Sequence, residues 1–196
     1  MEDDNRFRVI ASGFSGDSAV AHAGLSDSDP AVRASALRAL HRMGHLDDGV
    51  LAPFVADLDA EVRRTAAELA AHHPGVPISS LVDDDDVFVA EMAAWALGER
   101  SHPSDSDMAV LIDRATSHRE PLVREACAAA LGSIGDPRGL PAILAACGDK
   151  PAVRRRAVLA LAPFNGPEVD DALRRALDDA DWQVRQNAED MINPRS

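Results

Sequence analysis

His41 and His45 stand four residues apart, with Asp47 and Asp48 just beyond. On one helix this spacing puts two imidazoles on one face, as a zinc pair requires. Gly44 lies between them and is placed to end the helix. The rings are therefore not expected to share a face, and no metal site is expected. His72-His73-Pro74 reads as a surface loop. Asp83–Asp86 and Asp105-Ser106-Asp107 could ligate calcium, but neither has the alternating oxygens, turn glycine and closing Glu of a calcium loop. Helix starts favour acids, so capping is the expected role, with Asp84 and Asp85 left as an exposed patch. Cys127 stands where other copies of a repeated string have Ala, which suits a small core residue. Cys147 has no neighbouring His or Cys in sequence that would make it a ligand or nucleophile. There is no Gly-x-Ser-x-Gly, phosphate loop or dinucleotide fingerprint. The expected site therefore has no catalytic residue, cofactor or metal.

These residues sit in a recurring string. It reads Asp29-Pro30-Ala-Val32-Arg33-Ala-Ser-Ala36-Leu-Arg-Ala-Leu40 and returns around Val62, Val89, Val123, Val153 and Val184. The spacings are 30, 27, 34, 30 and 31 residues. Counting from each marker Val, apolar or small residues fall at +4, +5, +7 and +8, the stripe of an amphipathic helix. An acid stands three before the Val in five copies, and Pro two before it at Pro30, Pro121 and Pro151. This predicts an N-cap followed by proline in the first turn. Gly44, Gly98, Gly132 and Gly135 are expected to close or follow these helices. An earlier helix is predicted in each unit, as at 50–56, 108–115, 140–147 and 169–177. Nothing alternates with period two, so no strand is predicted.

The Asp/Glu-x-x-Val-Arg-x-x-Ala-x-x-x-Leu string resembles the HEAT-like repeats first noticed in phycobilin lyases, over about residues 17–192. The resemblance implies an all-α fold, a right-handed α-α superhelix of about six two-helix repeats. The second helices would line the concave face. As a single domain over 1–196, it divides into a cap at 1–16 and repeats near 17–44, 45–74, 75–100, 101–135, 136–165 and 166–192. The 36 alanines suit close helix packing, and stacking supplies the core that no repeat can bury alone. Asn5–Phe14 is expected to cap the array, with Phe7, Val9 and Ile10 over the first repeat. In the last copy the +5 position is Glu189, which suits an end with no successor, so the array is expected to begin and end within the chain.

Arg33, Arg63, Arg124, Arg154 and Arg185 follow the marker Val, and each lies four or five residues after an acid. That spacing permits local ion pairs on the helix surface. The alternative is a basic ladder for an anion, but the resemblance implies a structural role near the inter-helix turn. The third copy has Ala90 instead.

Positions +2, +3 and +6 lie opposite the core stripe and are expected to face the groove. From them the expected partner-binding residues are Arg38, Glu68, Glu91, Met92, Trp95, Ala129, Arg155, Arg156 and Leu159. Trp95 stands where other copies show Arg38, Glu68 or Asp190. An exposed Trp in a groove is typical of a binding centre. The alternative places it beneath the irregular 102–107 connection. Trp182 is expected to pack or cap.

Acidic residues number 33 and basic ones 20, for a net charge of −13. Residues 1–100 hold 18 acids and 8 bases, net −10; residues 101–196 hold 15 and 12, net −3. This argues against nucleic acid, which needs cations against phosphate. The apolar runs at 140–147 and 157–164 are far short of the roughly 18 residues of a membrane span. The acidic Met1–Asn5 opening lacks a signal-peptide pattern. A cytoplasmic location and no membrane partner are expected. A single Lys beside 19 Arg suggests a GC-rich prokaryotic genome.

The expected function is a non-catalytic protein-interaction module or scaffold that holds a partner segment in its concave groove. The partner would carry a basic segment, and the chain itself would be a monomer or weak oligomer. The alternatives are an enzyme-like member of the family, such as a phycobilin lyase or a DNA glycosylase relative, and a structural subunit of a larger assembly. Metal hydroxylases of the family use His-Glu pairs, and this sequence has no His-Glu dipeptide.

Overall fold

The computed structural model describes the backbone of residues 2–193 and the side chains of residues 5–193, the latter excluding the acidic Met1–Asp4 opening. Twelve α-helices occupy the described residues, with no strand among them: α1 (Glu2–Ser15), α2 (Ser18–Gly24), α3 (Pro30–Met43), α4 (Asp48–Leu51), α5 (Ala60–Leu69), α6 (Val87–Gly98), α7 (Asp105–Ser117), α8 (Pro121–Ile134), α9 (Leu140–Ala146), α10 (Pro151–Ala160), α11 (Pro167–Ala176) and α12 (Trp182–Ile192). Short 3₁₀ turns at 52–56 and 79–83 complete or replace first helices. The chain folds as an α-α superhelix.

The marker valines head the second helices, and all six are buried. Asp29, Asp59, Asp86 and Asp181 cap α3, α5, α6 and α12 by accepting backbone amides. Pro30, Pro121 and Pro151 stand in the first turns of α3, α8 and α10, as the spacing predicted. Glu120 is different: its side chain caps nothing, and its own amide donates to His118 Nδ1 at 3.1 Å.

The second helices form one continuous row. Helices α3, α5, α6, α8, α10 and α12 each pack on the next, and α1 heads the row by packing on α3. Of the first helices, only α7 packs closely along its own row, on the 79–83 turn and α9. The tighter row of second helices is the inner face of the curve. The third unit has only that 79–83 turn where others have a first helix.

Small residues set the spacing of the inner row. Gly44 and Gly135 close α3 and α8 in the left-handed conformation, with φ of 70° and 68°. Gly98 ends its helix as expected and Gly132 does not, and both serve packing as well. Gly132 is inside α8, and Gly98 is the last residue of α6. A Cβ on Gly98 would lie 2.7 Å from the Ala130 Cα, and one on Gly132 would lie 2.7 Å from the Ala160 Cα. These glycines let each backbone rest against the next helix.

The arginines tie successive repeats together, rather than pairing locally on their own helix as their spacing suggested. Arg33 makes a two-pronged contact with Asp57, at 2.9 and 2.7 Å. Arg63 holds Asp84, Arg124 holds Asp149 and Arg154 holds Asp179 in the same way. Each remaining nitrogen donates to carbonyls of its own inter-helix turn, such as Asp57 and Leu58 for Arg63. Three of these aspartates also accept the amide two residues on, so each fixes its own turn as well. Arg185 donates to the Asp179 and Ala180 carbonyls.

At the head of the row, Asn5 takes the arginine's place and donates to Asp27 at 2.5 Å. Helix α1 thus sits in the row where a preceding second helix would be, with Val9 packed on Val32 and Ala36 of the first repeat. Val9 is buried, but Phe7 is 69% exposed and Phe14 74% exposed, the latter beneath the Arg42 guanidinium.

One junction departs from the pattern. Ala90 replaces the arginine of α6, and His118 stands where the next turn's aspartate would be. The link is remade in reverse: Arg114 of α7 reaches back to Asp83 at 2.7 and 2.9 Å. Asp84 is held by Arg63, so the expected Asp84–Asp85 exposed patch is reduced to Asp85 and Asp83. Nearby, buried Arg100 donates to the Val76 carbonyl at 2.6 Å and lies 3.5 Å from Asp107, which also accepts from Ser79.

Gly98→Ala should destabilise the fold by about 1–2 kcal/mol in urea titration, because overpacking against backbone outweighs the roughly 1 kcal/mol gained in helix propensity. The guanidinium hydrogen bonds hold Asp84, Asp149 and Asp179 below the usual carboxylate range. At Asp57 burial pushes upward, but Arg33 and the Asp59 amide outweigh it. Depressed folded values mean the stabilisation is complete above about pH 4 and is lost as pH falls through them. Arg124→Gln should cost about 1–3 kcal/mol at pH 7. The difference from wild type should shrink on acidification to about pH 3, as measured by denaturant midpoints.

Candidate functional site

The inner face is narrower than a single helical wheel suggests. Positions +2 and +3 flank the neighbouring helices of the row, so Ala34, Ser35 and Thr65 are buried. The two hydroxyls return to the carbonyls of Ala31 and Glu61. Position +6 stays open along the row, and +2 and +3 open only further along, as at Glu91, Ala126 and Arg156. From α3 to α10 position +6 reads Arg38, Glu68, Trp95, Ala129 and Leu159. Trp95 is 43% exposed and Leu159 42%. Ala129 between them leaves a dip.

That dip is a cleft of about 360 Å³. Trp95 forms one wall, with Glu91 one turn before it on α6 and Glu99 one turn after it, just past the helix end. Leu122 closes one end, and the floor is Ala126, Ala129 and Ala130 of α8. The far side is Arg156 of α10. The cleft exists because the floor residues are small where Trp95 is large. The loop at 102–107 lines a different depression, with Pro74, Gly75 and Arg100 and without Trp95. The indole therefore faces α8 and not that loop.

Of the expected site residues, Glu91, Trp95, Ala129 and Arg156 meet in this cleft. Arg38 and Glu68 lie toward the other end, bridged to each other at 3.6 Å, and Arg38 is also 3.8 Å from Glu61. Met92 is half-buried and packs against the core. Arg155 turns to Asp181 of the next unit at 3.1 Å. Leu159 is exposed on α10, the helix of Arg156, outside the cleft lining. Sequence reasoning missed Glu99, Leu122 and Ala126. Glu99 was signalled by its place four residues after Trp95, on the same stripe as Glu91. Trp182, expected to pack or cap, is 65% exposed, and Asp181 does the capping.

The other candidate chemistry resolves into structure. Gly44 ends α3, so His41 and His45 part company. His41 stacks instead on His72, with ring centroids 5.4 Å apart, and His73 lies 3.0 Å from Asp48. Burial, with the neighbouring His72 and His73, lowers the His41 pKa. No cluster of three or more metal-ligating side chains occurs among the described residues. Burial pushes the Cys127 thiol up to about 12 and the Cys147 thiol to about 11.

The HEAT-repeat family model matches residues 108–193. The arginine-linked units before that stretch repeat its architecture. Over that stretch the sequence matches HEAT repeats, and the fold of the whole chain is HEAT-like. Its fold is similar to that of the Escherichia coli protein YibA, with a TM-score of 0.64 at 20% identity over 88% of this chain and 68% of that one. A designed armadillo repeat protein matches with a TM-score of 0.58 at 16% identity, covering 88% of this chain and 97% of the design. An engineered protein matches at 0.60 and 20% identity, over 90% and 95% of the two chains. These likenesses are of fold. No curated protein matches the sequence. Among the described residues, no helix is long and apolar enough to cross a membrane.

With thiols raised so far, both cysteines should resist alkylation by iodoacetamide at about pH 8 while the protein is folded. Mass spectrometry should show full labelling only after denaturation, and fast labelling of the native protein would contradict this.

Proposed function

We propose that the chain is a non-catalytic interaction module, cytoplasmic and prokaryotic, that holds a segment of a partner protein against its inner face. The observation that carries this reading is the half-exposed Trp95 over a floor of alanines. A large, rigid indole beside an unfilled dip offers apolar area that a guest side chain can cover at little entropic cost. The array is already rigid, through its arginine links and buried glycine contacts, so the site is preorganised. Repeat proteins of this architecture expose long inner surfaces suited to extended segments. Glu91, Trp95, Ala129 and Arg156 form the centre of the proposed contact, and Leu159 extends it along α10. Arg38 and Glu68 lie outside it, and their mutual ion pair makes them weak contributors. The module acts alone, as a monomer or weak oligomer, without metal or cofactor.

The test is photocrosslinking from Leu159 replaced by a benzophenone amino acid, with affinity recovery from the native cell. Trp95→Asp should abolish the crosslinked band while the far-ultraviolet circular dichroism stays unchanged. A folded Trp95→Asp variant that recovers the same band would sink the proposal.

A further inference from the structure

We infer that the Trp95 cleft receives a cationic side chain, an arginine or lysine of the partner segment, laid on the indole between Glu91 and Glu99. This deepens the interaction reading above and rests on it. The argument begins with which charges of the inner face are already used. Arg38 lies 3.6 Å from Glu68, Arg64 is 3.9 Å from Glu61, Arg155 is 3.1 Å from Asp181, and Arg156 is 3.6 Å from Glu125. Glu91 and Glu99 stand apart from this pattern. Neither carboxylate has an ion-pair or hydrogen-bond partner among the described residues, and both line the cleft.

Their placement relative to the indole gives the cleft its preference. Glu91 and Trp95 on α6 and Glu99 at its C-cap follow at intervals of four, and the C-cap keeps helical dihedrals, so the carboxylates flank the ring along one face. An aromatic face attracts a cation through its quadrupole, and a guanidinium can also stack on it flat. Two unpaired carboxylates beside that face supply acceptors for the N–H groups of the guest. The apolar floor of Ala126, Ala129 and Ala130 takes the methylene stem of the same side chain. The guanidinium that lines the far side, Arg156, is held by Glu125 and adds little repulsion. An anionic guest would face two unpaired carboxylates, with only the Glu125-paired Arg156 to meet it. A purely apolar guest would bury them unpaired.

The experiment is selection of a random-peptide display library on the immobilised full chain, counter-selected on Trp95→Asp. That variant is more acidic than the wild type, so peptides attracted by charge alone are removed. Recovered peptides should share an Arg or Lys. Replacing that Arg by citrulline, or replacing both acids in Glu91→Gln/Glu99→Gln, should each weaken binding about tenfold by fluorescence titration. Glu189→Gln, at the exposed far end, should leave it unchanged. Trp95-dependent peptides that lack a basic residue, or that ignore both replacements, overturn the cationic guest and leave the interaction reading standing. Recovery of no Trp95-dependent peptide overturns both.

Discussion

The two-pronged contact between an arginine of one repeat and an aspartate in the next turn is the constraint on which the architecture depends. It joins three things that would otherwise be independent. The guanidinium gathers the carbonyls of its own turn, reaches the following repeat, and meets a carboxylate that also fixes that repeat's turn through a backbone amide. Hydrogen bonds to charged groups contribute about 1.5–3 kcal/mol each where water is partly excluded. The arginine of each link is largely shielded in this way, and so is its aspartate. Small residues complete the constraint. They bring the second helices close enough for the links to span.

The exception shows how strictly the link is required. Ala90 and His118 remove both partners at one junction, so neither charge is left buried alone. Arg114 and Asp83 restore the connection in the opposite sense. The same junction lacks a first helix on one side and has the long connection before α7 on the other. Its second helix carries Trp95, so the cleft lies where the repeat pattern is most altered.

Much of this was legible in the sequence because two signals are strictly periodic. The marker valines gave the repeat, and the acid-Pro-x-Val order gave the second-helix starts. The first helices were harder, since the 79–83 segment forms only a 3₁₀ turn. The partners of the arginines stayed hidden for a physical reason. An acid four residues upstream satisfies a helical wheel, while the true partner lies 21 to 25 residues downstream at distances that vary with the intervening segment. The signal was present nonetheless: the arginine and the aspartate are lost together, at Ala90 and His118. The groove was overestimated because a wheel describes one helix. A helix in a row has two neighbours, and in the first units they bury +3, at Ser35 and Thr65, as well as the core stripe. Phe7 and Trp182 were misjudged because large apolar residues are not obliged to be inside.

The linked arginines also decide what the protein's charge means at a distance. Each is matched by an aspartate within a few ångströms, so seen from solvent these pairs nearly cancel. The net −13 is therefore carried by the remaining acids, densest in the first hundred residues. Such a field extends about 8 Å at physiological ionic strength and farther in dilute buffer. It repels further copies of the chain and draws cationic surfaces in from solution. Its effect is on the rate of encounter, whereas the cleft at Trp95 would govern how long a captured partner stays.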